Sequence, residues 1–522
     1  MIPKIITATP SGYQASLVEI ETIVSNGLPV TIVVGLPDTI VQESRERVRA
    51  AIKYSGYAYP SSRISINLAP GDLPKIGSHF DLALALSILL ADGLIEFNPI
   101  HKMFIGELAL DGRVRPASGV LSMVLAAKQA GIKEVFVPLN NGQEASLVKG
   151  LKVFEVTSLE SIVSHLVGKD FLQETKVKTL PSPISDEVDF AEISGQSIAK
   201  RALVIAASGS HNIRMVGPPG SGKTLLAKAL AGILPDLTEQ EILETTNLYS
   251  LAGRLSVNQD NNLYTSSIVT ARPFRSPHHT ASSLALIGGG GKPRPGEISL
   301  AHNGVLFLDE LTEFPRKVLE VLRQPLEEHK VIINRAQRNI TFPAKFILVT
   351  AQNPCHCGNY GDSLLDCICH PSEVLRYNKK ISGPLLDRID LHISVSRLKY
   401  DELNLTGLLS LPSSMQTSME LRRIVNSARQ IQKQRFSYQA SDKKFESKTN
   451  SEMTGEDLKK YCSLPEDAEK LLRQAAGNYQ LSARSIAKIL KVARTIADIE
   501  NQENIQTSHL AESLQYRIIN TT

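Results

Sequence analysis

Asn212-Ile213-Arg214-Met215-Val216 runs directly into Gly217-Pro218-Pro219-Gly220-Ser221-Gly222-Lys223-Thr224, and that turn runs on into Leu225-Leu226-Ala227-Lys228-Ala229-Leu230. A short apolar run with the character of a buried parallel strand, a complete G-x-x-x-x-G-K-T turn and a segment of helix-forming composition give the context in which that motif cradles phosphate. The glycines let successive backbone N–H groups turn toward an anion, and the helix N-terminus adds its partial positive charge. The loop Gly217 to Thr224 is therefore the expected ATP site. Lys223 is expected at the β- and γ-phosphates and Thr224 at Mg²⁺.

Such a loop needs a second strand to deliver a carboxylate to the metal. Gly304-Val305-Leu306-Phe307-Leu308-Asp309-Glu310 fits, an apolar strand ending in two acids. Asp309 is the expected Mg²⁺ partner and Glu310 the base that orients the attacking water. Phe346-Ile347-Leu348-Val349-Thr350-Ala351-Gln352-Asn353 is a further apolar strand with a polar end, and Asn353 is placed to sense the γ-phosphate or hold the water.

The 522 residues exceed one hydrophobic core, so several domains are expected. With 42% apolar and 21% charged residues, the composition is that of a soluble globular protein. Leu82 to Ile95, the longest apolar stretch, carries Asp92 and is too short for a bilayer. Neither a membrane span nor a signal peptide is expected, and the location expected is cytoplasmic. The net charge of +4 is too small to identify a nucleic-acid partner, so the placement of the basic residues matters more.

Residues 1–172 alternate β-rich runs (Val30 to Val34, Ile64 to Leu68, Glu134 to Pro138) with helical ones (Val41 to Tyr54, Leu82 to Leu90, Val120 to Ala130), an α/β domain of its own. Residues 173–188 are polar and proline-containing, a linker. The nucleotide-binding domain is expected over 189–398. Residues 418–522 read as helical, with periodic segments at Met419 to Arg435 and Ala483 to Glu500.

The order of a strand ending in Asn353 and then Gly383-Pro384-Leu385-Leu386-Asp387-Arg388-Ile389-Asp390 resembles an AAA+ ATPase core. That resemblance implies that Arg388 is an arginine finger reaching the neighbouring subunit's nucleotide, Asn353 the first sensor, and Arg484 the second sensor on the helical lid. It sharpens at Arg272-Pro273-Phe274-Arg275-Ser276-Pro277-His278-His279-Thr280 and at Gly288-Gly289-Gly290-Gly291-Lys292-Pro293-Arg294-Pro295-Gly296-Glu297. Together these are similar to the magnesium-chelatase-like AAA+ family of YifB/ComM type. The family implies a hexameric DNA motor, and its ComM members are similar to branch-migration helicases acting in natural transformation.

The residues support a polymer-handling role independently. Arg272 to Arg294 holds four Arg/Lys, two histidines and no acid, and Lys330 to Lys345 is a second acid-free basic run that reads as a hairpin turning at Asn334 to Arg338. Arg275, Lys292, Arg294, Arg335 and Arg338 are the expected contacts to DNA phosphates, with two solvated loops as the bland alternative.

Gly56 to Leu84, containing Leu68 to Asp81, followed by Asp111-Gly112-Arg113-Val114-Arg115-Pro116, resembles the Lon-protease-like domain that also occurs in the RadA recombination helicase. His79 takes the place of the nucleophilic serine and Leu121 that of the lysine base, so a non-proteolytic domain is expected. Ser78 is one position off. Arg45, Arg47 and Arg49 share a predicted helix with Glu43 and Glu46, leaving salt bridging and DNA contact equally open.

Cys355, Cys357, Cys367 and Cys369 cluster, with Cys462 apart. Four thiolates satisfy tetrahedral zinc and leave no position open for catalysis. The C-x-C spacing is tighter than usual, so structural Zn²⁺ and reduced thiols both stand.

The fold expected is thus α/β and multidomain: a Lon-protease-like α/β domain, an AAA+ phosphate-loop α/β core with inserts, and a C-terminal helical lid. The function expected is an ATP- and Mg²⁺-dependent homo-hexameric motor on single-stranded, double-stranded or branched DNA, working with a recombinase or other recombination proteins during DNA uptake. The alternatives are a protein-remodelling or metal-chelatase-type motor, and a peptidase coupled to an ATPase.

Overall fold

The computed structural model describes residues 3–176, 188–255, 268–290, 293–334, 339–362, 364–397, 417–437 and 448–518. Most of the linker, the connection 398–416, and Lys292, Arg335 and Arg338 lie outside the described residues.

The N-terminal unit is a seven-stranded mixed sheet built from β1 (Lys4–Ser11), β2 (Gln14–Ser25), β3 (Val30–Val34), β4 (Arg63–Ala69), β5 (Lys102–Phe104), β8 (Glu134–Pro138) and β9 (Lys152–Val156), in the order β3-β4-β2-β1-β5-β8-β9; β6 (Glu107–Leu108) and β7 (Val114–Arg115) form a small ribbon beside it. The helical run expected at Leu82 to Leu90 is the helix Asp81–Ala91, buried along nearly its whole length. Apolar residues all round a helix require cover on every side. The sheet and the helices Thr39–Tyr54 and Leu159–Leu166 supply it. Of the three arginines on Thr39–Tyr54, Arg47 pairs with the buried Asp81 at 2.8 Å rather than with Glu43 or Glu46, and Arg49 lies over the Tyr59 ring.

The second unit is a parallel sheet of β10 (Ile213–Val216), β11 (Phe274–Arg275), β14 (Gly304–Leu308), β17 (Phe346–Gln352) and β18 (Leu391–Ser394), ordered β11-β14-β17-β10-β18. Between these strands the chain forms two ribbons, β12 (Gly288–Gly289) with β13 (Arg294–Pro295) and β15 (Lys330–Asn334) with β16 (Asn339–Pro343). The second ribbon is the expected hairpin. Every residue of β14 and β17 is buried, as strands covered on both faces must be. One face packs on helices Ser197–Gly209 and Lys223–Ile233 together with Val425 and Ile496 from the C-terminal helices; the other packs on Leu311, Leu319, Val331 and Leu385.

The C-terminal residues form helices Ser418–Ser437, Gly455–Tyr461, Glu466–Asn478, Ala483–Ile499 and Thr507–Ile518. They are tied to the core by a buried polar chain. Asp390, just before β18, sits 3.3 Å from His211 and 2.7 Å from Lys488, and His211 reaches Thr495 at 2.8 Å. Burial opposes ionisation of Asp390, but Lys488 and His211 outweigh it and hold its carboxyl far below the usual range. The N-terminal unit meets the core at helix Glu239–Leu251 and at the hairpin: Asn247 donates to the Tyr13 carbonyl at 3.0 Å, and Phe342 is buried with Leu248 and Leu251 against Tyr13 and Ile340.

Candidate nucleotide site

Strands β10, β14 and β17 are parallel neighbours, so their C-terminal ends bring the phosphate loop, Asp309-Glu310 and Asn353 to one edge of the sheet. Ligands of open α/β sheets bind at this edge. Gly222 caps helix Lys223–Ile233 with φ +85, a left-handed conformation that costs glycine little and other residues more. The turn folds Lys223 back beneath the loop, where its Nζ donates to the carbonyls of Gly217 (2.7 Å) and Pro218 (2.8 Å) and lies 3.4 Å from Oδ1 of Asn353. Burial lowers the Lys223 pKa, and the charge of Asp309 acts in the opposite direction.

Thr224 Oγ1 donates to Asp309 Oδ2 at 2.8 Å. Hydroxyl and carboxylate thus share one point at the mouth of the loop, as two ligands of one Mg²⁺ must. The Glu310 backbone N–H donates to Asp309 Oδ1 at 2.9 Å, and Glu310 itself has φ +50. Such strain in a non-glycine residue is characteristic of functional positions. A cavity of about 570 Å³ opens here, lined by Pro219 to Leu225, Asp309, Glu310, Gln352 and Asn353. Gln352 accepts from the buried Arg214 at 3.0 Å, a support for the strand end that the sequence did not signal.

Arg388 and Arg484 do not line this cavity. They come together elsewhere: Arg388 Nη2 is 2.6 Å and Arg484 Nη1 4.0 Å from Oε1 of Glu327. Glu327, on helix Arg323–Glu328, carried no motif by which sequence could single it out.

The four clustered cysteines converge with Sγ–Sγ distances of 3.3, 3.7 and 3.6 Å among Cys355, Cys357 and Cys367, and all four sulfurs lie within 4.8 Å of one another. Tetrahedral zinc with Zn–S bonds of about 2.3 Å separates its sulfurs by about 3.8 Å, so the donor set fits a structural zinc ion. Backbone N–H groups of Asn359 and Ile368 lower the Cys357 thiol to about 6. The cluster abuts the nucleotide site, since a Cβ on Gly358 would lie 2.5 Å from Cδ of Pro219.

Among the expected DNA contacts, Arg275 stands apart. It lies on β11 in the core sheet, three-quarters buried and 2.6 Å from Glu297, so it is no free loop residue. The acid that holds it lies just past the acid-free run. Arg294 is exposed on β13 and borders a cavity of about 960 Å³ between the N-terminal unit and the core, with Pro10, Ser78 and Ile340 on other walls. In that cavity the Ser78 hydroxyl donates to Glu107, His79 is held by the Ala8 carbonyl, and Leu121 is wholly buried in the apolar core. None of these supplies a serine–lysine pair.

Family models match along the chain: magnesium chelatase, subunit ChlI, at residues 189–403; subunit ChlI of Mg-chelatase at 20–141; and the subunit ChlI C-terminal region at 415–517. Competence protein ComM of Haemophilus influenzae is 42% identical over 511 residues, covering 97% of this chain and 95% of that protein. Protein YifB of Salmonella typhimurium is 40% identical over 515 residues, covering 98% and 96%. The chain belongs to the YifB/ComM-type, magnesium-chelatase-like AAA+ family. Lon protease 2 of Bacillus subtilis is 30% identical over 138 residues, 25% of this chain and 23% of its own.

Membership of this AAA+ family implies ATPase activity, with ATP and Mg²⁺ as its cofactors. The residues present fit that group, with a buried lysine under a glycine loop and a threonine–aspartate pair at its mouth. Among the described residues, no helix of this AAA+ chain is long and apolar enough to cross a membrane.

Proposed function

We propose that the protein is a Mg²⁺-dependent ATPase that works as a homo-hexameric ring, moves along DNA and remodels branched recombination intermediates during DNA uptake. The observation that carries the ring is the placement of Arg388 and Arg484 together beside Glu327, away from the chain's own phosphate-loop cavity. Cations so placed serve a neighbour's nucleotide. Competence protein ComM, matched along nearly the whole chain, supports the role in DNA uptake. Exposed Arg294 is a candidate contact to phosphates, and Lys292, Arg335 and Arg338, expected from the sequence to share that role, lie outside the described residues.

In this reading Lys223 holds the terminal phosphates, Thr224 and Asp309 hold the metal, Asn353 positions water, and Glu310 takes its proton. Arg388 and Arg484 meet the charge that spreads over the transferred phosphoryl oxygens. ATP supplies the phosphoryl group and Mg²⁺ the neutralising charge. The cysteine cluster, loaded with zinc, braces the turn between Asn353 and the Arg388 segment.

The test is ATP hydrolysis with and without single-stranded, double-stranded and branched DNA at two salt concentrations, with Lys223→Ala as the blank. Salt-sensitive stimulation is the expected result. The family's chelatase members favour a second reading, a protein-remodelling or metal-insertion motor, and hydrolysis indifferent to every DNA would select it.

A further inference from the structure

We infer that the cavity between the core and the C-terminal helices, walled by Arg272, Arg429 and Lys433, binds a phosphate-class dianion. Its volume is about 180 Å³. About six water molecules fill such a space, which admits inorganic phosphate or the phosphate of a small ester and excludes a whole nucleotide. The cavity is separate from the nucleotide site. Phe346, at the start of β17, lines it, whereas Gln352, at the far end of the same strand, lines the nucleotide cavity. Six steps of extended chain put about 20 Å between the two.

The walls carry five lysines and arginines against three acids, and each acid is already engaged. Glu241 holds Arg272 at 3.3 Å, Glu452 holds Lys345 at 2.9 Å, and Asp236 faces Arg422 at 3.4 Å. Arg272 is used up by Glu241 and by the carbonyls of Pro235 and Asn303. Arg429 is not. Its Nε and Nη2 donate to the Ala207 carbonyl, and Nη2 also to Ser210 Oγ at 2.7 Å, which leaves Nη1 without a partner among the described residues. Burial and the nearby charge of Arg272 lower the Arg429 pKa to about 10, so two cations face each other here at neutral pH.

Lys433 stands one turn beyond Arg429 on the same face of helix Ser418–Ser437 and forms no ion pair among the described residues. Ser210 accepts from Arg429, so its own proton is available to an oxygen anion. Its φ of +58 is one that non-glycine residues seldom adopt outside functional positions. Two charged donors and a hydroxyl thus border one small space. Charge-assisted donors of this kind match a doubly charged oxyanion. Bound there, the anion joins Ser210, at the end of core helix Ser197–Gly209, to the first of the C-terminal helices.

The test is equilibrium dialysis of labelled inorganic phosphate against the full-length protein, at constant ionic strength, with Mg²⁺ and a saturating non-hydrolysable ATP analogue to occupy the phosphate loop. One site per chain is expected. Lys433→Gln should weaken binding by at least about tenfold, the worth of one charge-assisted hydrogen bond, and Arg429→Gln by as much or more. Arg423→Gln, which removes an exposed cation of the same helix outside the cavity, should leave binding unchanged. Arg429→Gln also frees the end of helix Ser197–Gly209, so if that variant does not fold, exposed Lys433 carries the test. Competition by phenyl phosphate separates the two sources: displacement at a lower concentration than phosphate itself assigns the site to a phosphate ester, and the reverse order assigns it to free phosphate. No saturable binding up to about 10 mM overturns the inference, as does equal affinity in wild type and Lys433→Gln, or an equal loss in Arg423→Gln.

Discussion

Arg388 and Glu327 form an ion pair at 2.6 Å, and Arg484 shares the same carboxylate oxygen at 4.0 Å. Two arginines almost a hundred positions apart in the chain thus form one cationic site on the core–lid surface. Arg388→Ala should lower ATP hydrolysis by about a thousandfold or more, the scale set by arginine fingers, while its own loop still binds nucleotide. Mixed with Lys223→Ala subunits, it should regain part of the lost rate, because each kind of subunit supplies what its neighbour lacks. Hydrolysis across a titration of the two variants checks this. Arg388→Lys should not restore the rate, since an ammonium lacks the planar fork.

Lys223→Ala should abolish nucleotide binding in equilibrium dialysis. Glu310→Gln should bind ATP normally and hydrolyse it at least about a hundredfold more slowly, as loss of a general base requires. Single-turnover kinetics separate binding from chemistry.

The four-cysteine cluster should carry one zinc per chain by elemental analysis of protein purified without chelator. Cys367→Ser should release the metal and lower the thermal midpoint, the expected outcome where metal binding contributes folding energy. Hydrolysis should fall with it, since Gly358 rests on Pro219 of the phosphate loop.

Asp390→Asn should destabilise the core–lid junction by about 3 kcal/mol, because Lys488 is then left buried without its counter-charge. Adding Lys488→Met should recover part of that loss. Unfolding by urea, followed by tryptophan-free far-UV circular dichroism, gives the values.

Acidification should weaken the fold before it titrates Asp390. Burial lowers the pKa of His211 and His392, the latter well below 6.5, so the folded state keeps both neutral. On unfolding they bind protons at about pH 6.5, so stability is full above that value and is lost as pH falls below it. The urea midpoint at about pH 5.5 should lie below that at pH 8, and His392→Gln should flatten the difference.

Arg294→Ala should weaken DNA binding and reduce the slope of log affinity against log salt by about one, the share of a single phosphate contact. Arg275→Ala should instead lower stability, because it removes one of the two arginines paired with the largely buried Glu297. Salt titrations of binding, set beside melting curves, distinguish the two.

Much of the fold was legible because it depends on short-range pattern. Val30–Val34 and Glu134–Pro138 are strands between the residues expected, and the helix after the phosphate loop begins within it, at Lys223, because the loop itself forms the first turn. The hairpin at Lys330–Asn334 and Asn339–Pro343 was likewise legible from alternating residues around a polar turn. Charge runs were less informative. Arg275 belonged to a basic run by position but to the core sheet by structure, because its partner Glu297 comes from beyond a ribbon that sequence separation hides.

Residue type and spacing alone marked the candidate groups: a glycine loop with Lys223 and Thr224, a strand ending in Asp309 and Glu310, and four clustered thiols. These are local facts, since each depends on backbone geometry over a few residues. Tertiary structure decided which distant groups meet. It brought Arg388 and Arg484 to Glu327, His279 to Glu310 and Asp390 to Lys488, because parallel strands align their ends and packed helices fix their faces, and neither relation is written in any one segment.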